Sequence, residues 1–171
     1  MQVTQLLLSK SGSKPSTKLE VMTDAPKRNW RQPLDKFTIT CVFGLKDTYH
    51  PNGHRGADYA GVPEGTPVKA VCDGMTVVLN KGLKDSAVLG NVLVLQIGSR
   101  FFGYCHLKEQ SPLKVGDKVN AGDVVGKMGN TGSASHGAHL HFTLGDTAQS
   151  VYSGNVFDVH SFLVEKIAGE K

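Results

Sequence analysis

The sequence predicts an all-β protein, a single small domain of mostly antiparallel sheet, preceded by a flexible N-terminal arm. Three observations carry the all-β reading. Glycine supplies 20 of 171 residues and aromatics only 7%, and many short apolar runs lie between the glycines, a pattern of strands and tight turns rather than long helices. The run 37-FTITCVF-43 alternates and is β-branched, as a half-buried strand requires. No segment has the long 3.6-residue periodicity of a major helix, and no strand–helix rhythm suggests a parallel sheet.

Taken in order, residues 1–33 read as the arm. The stretch 9-SKSGSKPSTKLEVMTDAPKRNWRQP-33 is rich in Ser, Lys and Pro, with one short strand signal at Leu19–Met22. The domain is expected over 34–165 and a tail over 166–171. After the FTITCVF strand, 45-LKDTYHPNGHRGADYAG-61 reads as a long polar loop with an Asn-Gly turn. The stretches 66-TPVKAVCDGMTVVLN-80, 91-NVLVLQIG-98 and 101-FFGYCHL-107 each read as a strand, with Asp-Gly and Gly-Ser turns. Residues 114-KVGDKVNAGDVVGKMG-129 repeat G-D-x-V at short intervals, 139-HLHFTL-144 is another strand, and 159-VHSFLVEKIAG-169 is a short helix or an extended tail.

Bulk properties narrow the function classes. No run approaches the ~20 apolar residues of a membrane span. The start MQVTQLLLSK lacks the basic segment, apolar core and cleavage site of a secretory leader. Cys41, Cys72 and Cys105 are odd in number and have no CxxC spacing, which argues against a disulfide framework or zinc finger and for reduced thiols. The net charge of +4 favours anionic partners. Nucleic acid is not expected, because basic residues are not interleaved with aromatics.

Three pieces of the chain could carry chemistry. In 136-HGAHLHF-142, His139 and His141 are two apart, so on a strand they share a face while Leu140 and Phe142 face a core. Such a pair can bind a metal together or divide ligand and acid/base roles, and HxH alone does not decide. In 54-HRGAD-58, a His and an Asp stand four apart. Two imidazole nitrogens and one carboxylate oxygen are a normal Zn²⁺ shell that leaves a fourth position open for water. His50 lies four before His54, but Pro51, Asn52 and Gly53 between them oppose a helical HxxxH pair, so His50 reads as a loop residue near the substrate. His106 ends an apolar strand beside Cys105. Adjacent residues of a regular strand face opposite ways, which argues against a cysteine–histidine nucleophile pair. The G-D-x-V hairpin pattern also occurs in lipoyl-like swinging-arm domains, but no lysine occupies a matching turn and that reading leaves the histidines unexplained.

Together these motifs resemble the lysostaphin-type (LytM-like) zinc metallopeptidases of bacteria and their phages. HRGAD matches the family's H-x-x-x-D, HLHF its H-x-H strand, YCHL its Y-x-H-L segment, and GTPVKAVCDGMTVV its G-T-P-V strand. VGDKVNAGDVVGKMGNTG matches the approach to the second metal motif and PLDKFTITCVFG the entry strand. The similarity runs from about Trp30 to Leu163. It implies a small antiparallel domain with Zn²⁺ on a groove floor, ligands His54, Asp58 and His141, and catalytic His106 and His139. Tyr49 falls where the family can carry a tyrosine that supports the transition state. With no HExxH glutamate, His139 or His106 would take the water proton and return it to the leaving amine.

The resemblance further implies hydrolysis of a peptide bond in the stem or cross-link of peptidoglycan, with wall peptides as partner and a monomer favoured. The missing leader favours a phage-released or virion-associated enzyme. The alternative is a non-catalytic scaffold of the same fold that binds the wall or activates wall amidases. Such scaffolds usually lack zinc ligands, whereas this chain keeps the full set. Three departures stand out: 131-TGSASHGAH-139 is one residue longer than usual with Ala138 for a common proline, Thr-Leu follows HLHF, and FDVHSFL replaces a common Asp-Pro pair. They bear on specificity, and His136 has no assigned role.

Overall fold

The computed structural model describes residues 27–169; the strand expected at Leu19–Met22 lies outside them. The strands are β1 (Thr38–Cys41), β2 (Ala57–Ala60), β3 (Pro67–Lys69), β4 (Met75–Lys81), β5 (Asn91–Ile97), β6 (Arg100–Leu107), β7 (Lys118–Val119), β8 (Val124–Lys127), β9 (Leu140–Gly145) and β10 (Val156–Phe157). A 3-10 turn covers Ala148–Val151 and helix α1 covers Val159–Ala168. The main sheet runs β1-β2-β9-β6-β5-β4-β7, with β10 also paired to β9, and β3 pairs with β8 in a separate two-stranded sheet. Every pairing is antiparallel.

Strand alternation divides the main sheet into two faces. Phe102, Tyr104, Leu140, Phe142 and Leu144 point to one side, where they are fully or almost fully buried with Tyr59, Leu93 and Leu95. Burying each such side chain contributes about 1.5–3 kcal/mol. The β3–β8 sheet covers this core through Val68 and Val125, and α1 does so through Val159 and Leu163. The opposite face carries a smaller cluster of Leu79, Val92, Val94, Cys105 and Val151 and, beside it, the histidines.

The structure differs from the sequence reading at 66–80 and 45–61, decides between the two alternatives for 159–169, and adds contacts ahead of residue 34. The single strand expected over 66–80 is two strands in two sheets, broken before Met75 at the Asp73-Gly74 turn, where Gly74 has φ +71°. The polar loop expected over 45–61 contains β2, whose Ala57 and Tyr59 are buried between β1 and β9. Its run of four residues is too short to stand out as a strand in sequence. The segment 159–169 is a helix through Ala168, started by Asp158, whose side chain accepts the Ser161 N–H at 3.0 Å. The chain also joins the packed unit ahead of residue 34. Trp30 bridges to Cys72 and packs edge-on against Phe162 at 5.5 Å, and Asn29 donates two hydrogen bonds to Asp73.

Candidate metal centre

Strand register assembles the site. Cys41 on β1 pairs with Asp58 on β2, Asp58 pairs with His141 on β9, and His141 pairs with Cys105 on β6. Directly paired residues share a face, so these four side chains form one row across the sheet, opposite the Tyr104–Phe142 core. His54 is brought over this row by the loop before β2. Its backbone N–H donates to the Leu45 carbonyl and its carbonyl accepts from Gly44, both at 2.8 Å.

Three atoms converge. His54 Nε2 lies 3.0 Å from His141 Nδ1 and 3.2 Å from Asp58 Oδ1, and His141 Nδ1 lies 2.8 Å from Asp58 Oδ1. The His54 ring is oriented from behind by its Nδ1–H, which donates to the Val42 carbonyl at 3.2 Å and leaves the Nε2 lone pair facing the group. A tetrahedral ion with bonds of ~2.0–2.2 Å spaces its ligands about 3.3 Å apart. The three separations fall within about half an ångström of that spacing, and two imidazoles with a carboxylate are a zinc-type donor set. Gly56 in HRGAD permits the convergence: a Cβ there would stand 2.5 Å from the Phe142 carbonyl oxygen and 2.9 Å from His141 Cε1.

Two further imidazoles flank the group. His139 Nε2 is 3.8 Å from Asp58 Oδ1, and the His106 ring lies 4.8 Å from that of His139 and 5.9 Å from that of His141. The His139 Nδ1–H donates to Gly137 O at 2.8 Å and the His106 Nδ1–H to Thr131 O at 2.7 Å. Both rings therefore turn Nε2 away from these backbone bonds.

His106 reaches the site because β6 is irregular there. His106 has φ +59°, the one non-glycine residue with positive φ among those described, and the β5–β6 register slips between Asn91 and Leu93. The bulge puts two consecutive side chains, Cys105 and His106, on the site face before Leu107 returns to the core. The alternation argument against a Cys105–His106 pair thus fails, because the strand is not regular. A different reason argues against that pair: complete burial pushes the thiol's pKa far up, with the Asp58 carboxylate adding to the shift, which disfavours the nucleophilic thiolate. Thr131 anchors the bulge. Its carbonyl takes the His106 bond, its hydroxyl donates to Leu107 O at 2.7 Å and accepts from Asn91 N at 3.0 Å.

Electrostatics follow from burial and contact. Burial alone would raise the Asp58 pKa, but the His141 and His54 imidazoles beside it outweigh that and hold the carboxyl well below its usual range. Burial depresses His141 despite the opposing pull of Asp58. Burial also lowers His106 to about 4, with His139 and His141 adding to the shift. Burial and the Asp58 and Asp47 carboxylates raise the half-buried Cys41 thiol to about 11.

Among the sequence-predicted site residues, His54, Asp58, His141, His139 and His106 come together on the floor of a groove of about 950 Å³. Tyr49 lines the same groove but stands on its rim, 76% exposed, its ring 5.7 Å from that of His136. His50 packs its ring 4.5 Å from that of His54. Sequence reasoning missed Thr131, Cys41 and Arg55. Arg55, the residue after His54, donates to Ser150 O at 3.1 Å and Gly154 O at 3.0 Å and so ties the 148–154 segment to the groove. Only the T-G pair at 131–132 carried a local signal, as a turn.

A small antiparallel sheet with two imidazoles and a carboxylate converging on one groove-floor point is an arrangement that can hold a single metal ion. The chain belongs to peptidase family M23, whose family model matches residues 52–153. The chain is 38% identical over 121 residues to the peptidoglycan DD-endopeptidase ShyA of Vibrio cholerae, a match covering 67% of this chain and 26% of ShyA. It is 30% identical over 135 residues to the murein hydrolase activator NlpD of Salmonella typhimurium, covering 75% of this chain and 31% of NlpD. The chain thus spans less than a third of these curated relatives. Its fold matches the catalytic domain of the antimicrobial peptidase lysostaphin from Staphylococcus simulans with a TM-score of 0.63 and 28% identity, over 75% of this chain and 92% of that one.

Proposed function

We propose that this chain is a zinc-dependent endopeptidase that hydrolyses a peptide bond in the stem or cross-link of bacterial peptidoglycan. The observation that carries the reading is the convergence of His54 Nε2, Asp58 Oδ1 and His141 Nδ1 within 3.2 Å of one another, with two more imidazoles beside them. His54, Asp58 and His141 would hold Zn²⁺, which when bound supplies Lewis acidity and acidifies water toward a pKa of ~7. His139, whose Nε2 lies 3.8 Å from the Asp58 carboxylate, accepts the proton of the attacking water and passes it to the leaving amine. His106, held by Thr131 with its Nε2 toward the groove, hydrogen-bonds the reacting oxygen. The Tyr49–His136 rim forms a wall against which an extended wall peptide lies.

The similarity to an endopeptidase and to an activator of murein hydrolases leaves two activities to separate. The complete donor set favours catalysis. The deciding experiment is digestion of purified walls of several cross-link types by the zinc-loaded chain, with and without a chelator, and mass analysis of the released peptides. New amine and carboxyl termini that disappear with the chelator are expected. Release that survives complete metal removal rejects the zinc role, and no release from any wall, with stimulation of an added amidase, establishes the activator instead.

A further inference from the structure

Cys41 and His50 have no part in the proposed hydrolysis, yet Cys41, His50 and His54 bring potential ligand atoms within 4.8 Å of one another. His54 Nε2 is already turned to His141 and Asp58, which leaves Nδ1 as the nitrogen available to this second group. Its Nδ1 lies 3.2 Å from the Val42 carbonyl oxygen, toward which Cys41 Sγ also points at 3.9 Å. His50 is oriented as ligating histidines are. Asp47 Oδ1 takes its Nδ1–H at 3.0 Å, which leaves the Nε2 lone pair free. The same carboxylate oxygen accepts the backbone N–H groups of Tyr49 at 2.9 Å and His50 at 2.7 Å, so the partner that orients the ring is itself held.

We propose that Cys41, His50 and His54 form a second metal position, selective for thiophilic divalent ions, that competes with Asp58 and His141 for His54. The thiolate supplies the selectivity, since soft ions prefer sulfur. Binding releases the thiol proton to solvent as the metal–sulfur bond forms. Competition follows from the imidazole itself. A neutral ring has one lone pair and one N–H. With the proton on Nδ1, as the bond to Val42 requires, Nε2 faces Asp58 and His141. With the proton on Nε2, Nδ1 is free for an ion beside Cys41 and His50. One ring therefore serves one position at a time. This inference concerns where ions bind and holds whether or not the chain cleaves peptidoglycan.

The test is a Cd²⁺ titration of the metal-free full chain, followed by the ultraviolet thiolate-to-cadmium charge-transfer band. Cys72 and Cys105 are fully buried, so the signal reports on Cys41. The band is expected in the wild type and absent in Cys41→Ser, with circular dichroism unchanged. His50→Gln should raise the cadmium concentration at half-signal by about tenfold or more, and saturating the wild type with Zn²⁺ beforehand should raise it as well. A wild type without the band, or a band that persists in Cys41→Ser, overturns the site. A midpoint unmoved by zinc overturns the sharing of His54.

Discussion

His54 Nε2 and His141 Nδ1 lie 3.0 Å apart although 87 positions separate the residues in sequence. The approach is set by β2, which pairs with β9 so that Asp58 lies directly across from His141, while the preceding loop folds His54 back over both. Such a pair of facing imidazole nitrogens, with a carboxylate oxygen 2.8 Å from one of them, is poised for a shared cation.

From this geometry His141→Ala should lose both the metal and cleavage, whereas His139→Ala should retain one zinc ion and lose about 10²- to 10⁴-fold in turnover. Zinc content by atomic absorption and peptide release by mass analysis check the two together. Wild-type turnover in His139→Ala, or full zinc in His141→Ala, would show that the roles are divided otherwise.

His106 holds a left-handed conformation, φ +59°, that a glycine adopts without cost. Both His106→Gly and His106→Ala remove the imidazole and should abolish cleavage. In urea unfolding, His106→Gly should be the more stable of the two by roughly 1 kcal/mol, because an alanine pays the Cβ penalty of that region. Equal stabilities would mean that the bulge relaxes once the ring and its bond to Thr131 are gone.

Tyr49 and His136 meet on the rim with ring centroids 5.7 Å apart, one from the loop before β2 and one from the loop before β9. Contacts made equally in ground and transition states change KM and leave kcat. Tyr49→Ala and His136→Ala should each raise KM for a wall peptide severalfold with kcat nearly unchanged. A Tyr49→Phe variant that lost kcat instead would place the hydroxyl at the reaction centre, as the family resemblance implies.

Asp73 ties residues 28–29 to the domain. Its carboxylate accepts from Asn29 N at 3.1 Å, Asn29 Nδ2 at 2.7 Å and Ala121 N at 3.0 Å. The bonds from the Asn29 and Ala121 backbone amides lower its pKa in the folded state. A carboxyl depressed on folding adds stability above its unfolded pKa of ~3.9, and that stability is lost as pH falls through the folded value. The Tm gap between wild type and Asp73→Ala should thus be open at pH 7 and close as the solution is acidified below the ordinary carboxylate range. Thermal melts across that range check it, and a gap that stays constant into acid would assign the effect to packing and not to charge.

Much of the protein was legible in its sequence. Alternation around Leu140 and Phe142 turned His141 away from the core, because a strand's side-chain period is two and does not depend on what the strand packs against, while His139, which bridges to Gly129 just ahead of β9, lines the same groove. The all-β class, the Asp73-Gly74 turn and the helix alternative for 159–169 were readable for the same local reasons. Reading failed where local rules met competing tertiary contacts. β2 carries too few residues to announce itself and exists because β1 and β9 flank it. Alternation at His106 was misleading because cross-strand bonds through Thr131 and Asn91 hold a bulge that no local propensity encodes.

The amino-acid sequence by itself determined the chemistry available: which imidazoles and carboxylates exist, and which of them share a strand face, since these depend only on composition and on the geometry of one strand. The tertiary structure alone decided which of them meet. Strand register aligned Cys41, Asp58, His141 and Cys105 in one row, a left-handed residue turned His106 into the same groove, and the loops set Tyr49 beside His136 on its rim. Register and loop closure are properties of the whole sheet, fixed by the burial of its core face, and so they cannot be read from any segment alone.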